Sequence, residues 1–211
     1  MHLLQAQPGE ISDGGDPVDP DQTPADLIVI SAADTELAGL SAALQARGEG
    51  KGPSVRLANL SWLTHPYAVD LYLDKTALRS RLVVARVLGG AGYWSYGLEQ
   101  FSRRLREAGV AFAALPGDDK PDDALFEASS LPRETWQRLW GYLVEGGPDN
   151  AANFLADCAH LLGQGDAPAG PAPLLRAGFY WPGAGVADLE RLRAAWVPGR
   201  PVAALVFYRA L

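Results

Sequence analysis

Four short apolar runs, at 27–30, 55–60, 82–88 and 110–115, punctuate the first half of the chain, and segments long enough for a helix separate them. Runs of this length with apolar residues toward both faces predict strands buried between two layers, as in a parallel sheet. A helix is predicted over 35–46, entered through Ser31-Ala-Ala-Asp34, which has the spacing of a capping box. Pro66 suits the first position of a second helix that reaches about residue 78. There Tyr67, Val69, Leu71 and Leu73 also alternate as a strand would; helix is preferred because a parallel strand at 82–88 must be reached by a crossover. A third helix is clearer: Leu98, Phe101, Leu105 and Ala108 form one stripe, Glu99, Arg103 and Glu107 lie opposite, and Gly109 ends it. Residues 1–6 read as a further strand, and 10–26 as a solvated loop of Asp, Gly and Pro.

After residue 130 the period changes. Trp136, Leu139, Trp140 and Leu143 line one face of a helix at 133–145, and Ala151, Phe154, Leu155, Cys158 and Leu162 line one face of another at 149–162. Gly146-Gly-Pro148 joins them, which predicts an αα-hairpin. Residues 164–173 are rich in Gly, Ala and Pro and read as a linker. A strand at 174–180, a helix at 187–196 and a buried strand at 202–208 then begin a second α/β domain that looks cut short. The expected organisation is an α/β domain over 1–130, a doubly wound and mostly parallel sheet of flavodoxin or Rossmann type, then the hairpin at 131–163, the linker, and the second domain from 174 to 211.

Charge narrows the partners. A net charge of −7 leaves no basic face for nucleic acid or for an acidic membrane surface. The first residues lack the basic region and apolar core of a signal peptide, and no apolar run approaches a membrane span. A cytoplasmic location is expected. Cys158, as the one cysteine, allows no internal disulfide.

Candidate chemistry concentrates at the junction Leu88-Gly-Gly-Ala-Gly-Tyr-Trp-Ser-Tyr-Gly97, where a strand gives way to a helix. In an open α/β sheet such junctions lie where ligands bind. The loop lacks the spacing of a dinucleotide or phosphate loop. Gly89 and Gly90 read first as a tight turn and second as an approach to a ligand; Tyr93 and Trp94 read as core residues or as a stacking surface for a flat molecule. Ser95 misses the nucleophile elbow by one residue. His2, His65 and His160 are scattered, and Cys158 points to a different helix face from His160, so no metal site is expected. Asp118 and Asp119 after Pro-Gly fit a turn and a helix cap better than an acid–base pair. Asp74 and Lys75 fit a solvated face. No catalytic residue is assigned.

A set of ordered motifs carries a resemblance: Met1-His-Leu-Leu-Gln-Ala-Gln7, Ile11-Ser-Asp-Gly14, Ser31-Ala-Ala-Asp-Thr-Glu-Leu37, Arg56-Leu-Ala-Asn-Leu60, His65-Pro66, Asp70-Leu-Tyr-Leu-Asp-Lys-Thr76, Leu88-Gly-Gly90 with Tyr93-Trp94 and Tyr96-Gly97, Leu115-Pro-Gly-Asp-Asp119, and Phe207-Tyr-Arg209. Together they resemble the amino-terminal part of the large subunit of aerobic, ATP-dependent cobaltochelatases, relatives of the magnesium chelatase large subunit. The resemblance implies a ligase role in cobalamin (vitamin B12) synthesis, inserting Co²⁺ into hydrogenobyrinic acid a,c-diamide. It also implies two partner subunits, one an AAA+ ATPase, which use ATP and Mg²⁺ while the large subunit holds the corrinoid.

Members of that family are several times longer, and their ring cleft and metal-handling residues lie mostly outside the matched part. Metal insertion needs a ring-sized pocket, a base for the pyrrole protons and ligands that release the ion, all converging. The sequence offers no such convergence. The expectation is therefore a segment that packs, closes or docks, binds no cofactor itself, and does not chelate alone. Gly89, Gly90, Tyr93 and Trp94 are its candidate substrate contacts. Two competing readings are a free-standing flavodoxin-like module that holds a small ligand at the same edge, and a pure interaction scaffold.

Overall fold

In the computed structural model, which describes residues 17–48, 50–173, 178–181, 185–201 and 203–206, the four apolar runs are the four strands of one parallel sheet. The chain divides into two units, Met1–Ala172 and Pro173–Leu211. The strand expected at 1–6 lies outside the described residues.

Within the first unit the strands are β1 (Leu27–Ser31), β2 (Val55–Asn59), β3 (Leu82–Val87) and β4 (Ala111–Pro116), in the order β2-β1-β3-β4. All pairs are parallel, with Ser31 beside Asn59 on one side and beside Arg86 on the other. The period of two along each strand sorts the core into two layers. Ile28, Ile30, Val83, Ala85, Val87, Phe112 and Ala114 pack with α2 (Pro66–Lys75), α3 (Ser95–Glu107) and α4 (Asp123–Ala128). Leu27, Val29, Leu82, Val84, Ala113 and Leu115 pack with α1 (Asp34–Arg47), α5 (Arg133–Glu145) and α6 (Pro148–Leu161). The sheet is doubly wound, and the helical hairpin α5–α6 forms part of one of its covering layers.

Local chemistry explains most boundaries. Pro66 starts α2, where His65 Nδ1 accepts from the Tyr67 N–H, so the choice of helix over strand for 66–78 holds; its last part tightens into a 3-10 turn at Ala77–Arg79. Gly109 at φ +70° follows the end of α3, a left-handed position that glycine adopts without strain. Leu98, Phe101 and Leu105 are buried as the stripe predicts, each worth roughly 1.5–3 kcal/mol. Ala108 is not: it lies past the last turn and is exposed. The capping box also fails. Ala33 occupies the N-cap of α1, and Ser31 Oγ instead accepts from the Ala33 N–H at 3.1 Å in a local turn.

The outer edge of β4 is covered without a fifth strand. Ser130 Oγ accepts from the Phe112 N–H at 2.8 Å and Ser129 Oγ from the Ala114 N–H at 2.9 Å, while Trp136 Nε1 donates to the Ala114 carbonyl at 2.7 Å. An exposed strand edge invites pairing with other chains, and these side chains occupy its donors and acceptors. Within the hairpin, Arg138 holds the fully buried Asp157 through Nε at 2.6 Å and Nη2 at 3.0 Å. The segment read as a linker is tied down at Ala169 by the Tyr142 hydroxyl (2.6 Å) and at Ala172 by Asn150.

The second unit is smaller. Its strands β5 (Phe179–Trp181) and β6 (Gly185–Ala187) pair antiparallel, and α7 (Leu189–Ala194) follows, capped by Asp188. The strand expected over 174–180 is confined to its last residues among those described. The helix expected over 187–196 is shorter at both ends. The buried strand expected at 202–208 is not formed at 203–206, where Leu205 and Val206 are almost fully exposed. A strand needs a neighbour for its backbone groups, and β5 and β6 pair with each other alone among the described residues.

Candidate functional site

Strand order reverses between β1 and β3, so the switch point, where a doubly wound sheet opens a crevice for ligands, lies beyond Ser31 and Val87. The glycine loop is there. Gly89 (φ +87°) and Gly90 (φ +79°) take left-handed conformations that side chains rarely adopt, and the chain then turns through Ala91–Trp94 into α3. A methyl group at Gly90 would meet the Asp122 carboxylate at 3.0 Å, and one at Gly89 would touch the Tyr93 ring at 3.4 Å. The glycines are thus required by the turn itself.

The two aromatic candidates part company. Tyr93 is about half exposed, whereas Trp94 is buried, with its Nε1 donating to the Leu63 carbonyl at 2.7 Å and its ring tilted on Phe101. Its indole lies against Gly97, where even a β-carbon would come within 1.9 Å. Trp94 therefore joins the β2 and β3 ends as core and offers no face for stacking. Tyr96 keeps its hydroxyl on Asp70 at 2.9 Å.

At the same carboxyl edge of the sheet lies an ion pair that sequence reasoning missed. Arg86, near the end of β3, pairs with Glu36 of α1, donates to the Leu143 carbonyl at 2.9 Å and to the Gly117 carbonyl at 3.1 Å. The two side chains are 12% and 11% exposed, so one guanidinium binds α1, the end of β4 and the last turn of α5 together in low dielectric. Burial pushes the Glu36 carboxyl above its ordinary value against the pull of Arg86 and of the Ser31 side chain. Gly117 sits so close to Leu88 that a β-carbon would meet its backbone at 2.5 Å. A signal was available: an arginine inside Leu82-Val-Val-Ala-Arg-Val87 interrupts an apolar strand and demands a partner.

The other candidates have structural work. Asp118 accepts from the Lys120 N–H in a turn and its carbonyl accepts from Trp140 Nε1; the cap of α4 is Asp122, not Asp119. Asp74 pairs with Arg104, and Lys75 with Asp19. Cys158 is buried, which pushes its thiol up, and His160 meets the Gly165 carbonyl. Ser95 opens α3. Among the described residues no group of three His, Cys, Asp or Glu converges to hold a metal ion, and no helix is long and apolar enough to cross a membrane. Open hollows lie on α3 (Leu98, Ser102, Arg106) and at the amino-terminal edge of the sheet (Arg81, Val110, Leu162), away from the glycine loop.

Fold and edge together define a doubly wound α/β domain of flavodoxin-like strand order with a buried Arg86–Glu36 pair at the carboxyl edge of its sheet. From end to end the chain is homologous to a segment of aerobic cobaltochelatase subunit CobN. It is 44% identical over 220 residues to the protein from Sinorhizobium sp and 40% identical over 210 residues to that of Pseudomonas aeruginosa, covering 100% and 99% of this chain. The chain spans 17% of the length of each of these relatives. Among solved structures it is similar to the catalytic subunit of cobaltochelatase from Mycobacterium tuberculosis, at 26% identity and a TM-score of 0.55, over 75% of this chain and 12% of that one. No protein-family model matches.

Proposed function

We propose that these residues serve as a packing and docking segment of a cobaltochelatase large subunit, which with an AAA+ ATPase and a second small subunit inserts Co²⁺ into hydrogenobyrinic acid a,c-diamide during cobalamin synthesis in the cytoplasm. The observation that carries the reading is the 44% identity to CobN across the whole chain. The edge agrees with its second half: the Arg86–Glu36 pair ties α1, α5 and the end of β4 together there. ATP and Mg²⁺ belong to the partner subunits in this reading, and cobalt is substrate. Any corrinoid contact made from this segment falls on Gly89, Gly90 and the exposed Tyr93, since Trp94 is enclosed.

A domain exchange tests the assignment. Replacing the matching segment of Sinorhizobium CobN with this chain should give a subunit that still inserts cobalt when mixed with its partner subunits. A soluble chimera without activity contradicts the assignment.

A further inference from the structure

Among its described residues the second unit exposes most of its large apolar side chains. Phe179, Tyr180 and Trp181 of β5, Val186 of β6, Leu189 of α7 and Trp196 beyond it are all exposed, and α7 buries no residue. A two-stranded sheet is marginal on its own in water and becomes stable when a third strand or another packed element covers it. Phe179 and Trp181 lie on one face of the hairpin and Tyr180 and Val186 on the other, and exposed apolar residues at this density on a small unit mark an interface. Charge describes what lies across it. Residues 173–211 hold Arg176, Arg191, Arg193, Arg200 and Arg209 against Asp188 and Glu190, a basic surplus within a chain of net charge −7. Exposed aromatics in a segment with an arginine surplus call for an apolar surface edged by carboxylates.

We propose that residues 173–211 are a docking module whose aromatic hairpin seats on an apolar, acid-rimmed surface of the cobaltochelatase large subunit outside the segment described here. This rests on the functional reading above. The reason to place the partner within the same subunit is continuity: these residues are included in the match to CobN, and most of each relative's length lies beyond the matched segment. The hairpin would thereby complete its sheet or core against that body.

The test is site-resolved thiol labelling with a maleimide, read by peptide mass spectrometry, so that other cysteines do not interfere. Val186→Cys probes the hairpin, and Glu107→Cys, on exposed α3 surface, is the control. Each is introduced into the 211-residue chain and into the CobN chimera. Labelling of Val186→Cys should slow by at least about tenfold in the chimera, with Glu107→Cys unchanged. Equal labelling in both proteins overturns the proposal, as does protection already present in the 211-residue chain, whether from its own first unit or from a second copy. A chimera that inserts cobalt yet leaves Val186→Cys reactive rejects the docking module while keeping the chelatase assignment. A soluble chimera that protects the thiol but inserts no cobalt rejects the assignment instead.

Discussion

Arg86 Nη1 reaches both the Glu36 carboxylate and the Leu143 carbonyl, so a single strand residue fastens α1 and the helical hairpin to the carboxyl edge of the sheet. Removing one member of a buried pair strands the other without its counter-charge. Arg86→Met and Glu36→Gln should therefore each destabilise the first unit by about 3–5 kcal/mol, read as a lower urea midpoint. An Arg86→Met protein as stable as the parent would contradict this role of the pair.

The same carboxylate predicts a pH signature. Burial raises Glu36 above its ordinary value of 4.5, so the folded state binds its proton more tightly than the unfolded one. Its contribution is fully present below 4.5 and is lost as pH rises through the raised folded value. Asp26 has the opposite sign: hydrogen bonds from the Ser54 side chain and backbone hold it below 3.8, so its contribution is present above that value and is lost as pH falls through the lowered one. Stability measured against pH for Glu36→Gln and Asp26→Asn should flatten on opposite sides of the acid range.

Glycine substitutions separate packing from backbone freedom. Gly97→Ala forces the Trp94 indole aside and breaks its bond to Leu63, with an expected cost of about 1–3 kcal/mol or more and a shifted tryptophan emission. Gly39→Ala points into open space from the middle of α1 and should stabilise by about 0.5–1 kcal/mol. Thermal unfolding of the two variants checks both signs.

Tyr93 and Trp94 are adjacent in sequence and opposite in consequence. Trp94→Ala should cost about 3–5 kcal/mol, because the ring fills the space between Phe101 and Gly97. Tyr93→Ala, at an exposed position, should stay within about 0.5 kcal/mol of the parent. Denaturant titration of each variant distinguishes them.

The order of strands and helices was legible because each strand is apolar toward both layers and each helix carries its own punctuation, such as Pro66, Gly109 and Gly146. What escaped depends on residues distant in sequence. Glu36 lies one helix and one strand away from Arg86 along the chain, Ser129 and Ser130 acquire their role from the open edge of β4, and Trp94 turns inward because Leu63 offers a carbonyl. The apolar run at 202–208 misled for the converse reason: composition favours a strand there, but pairing needs a partner, and residues 203–206 are unpaired strand formers in solvent. At the candidate site, local spacing placed Gly89 and Gly90 in a turn and could not show that Trp94 beside them was enclosed.

The most direct test of the central claim is cobalt insertion by the 211-residue chain itself, mixed with the ATPase and small partner subunits, ATP, Mg²⁺, Co²⁺ and hydrogenobyrinic acid a,c-diamide, beside the full-length CobN chimera as a positive control. The account predicts insertion by the chimera and none by the short chain. Turnover by the short chain would place the ring cleft and its chemistry within these residues and contradict their role as a docking segment.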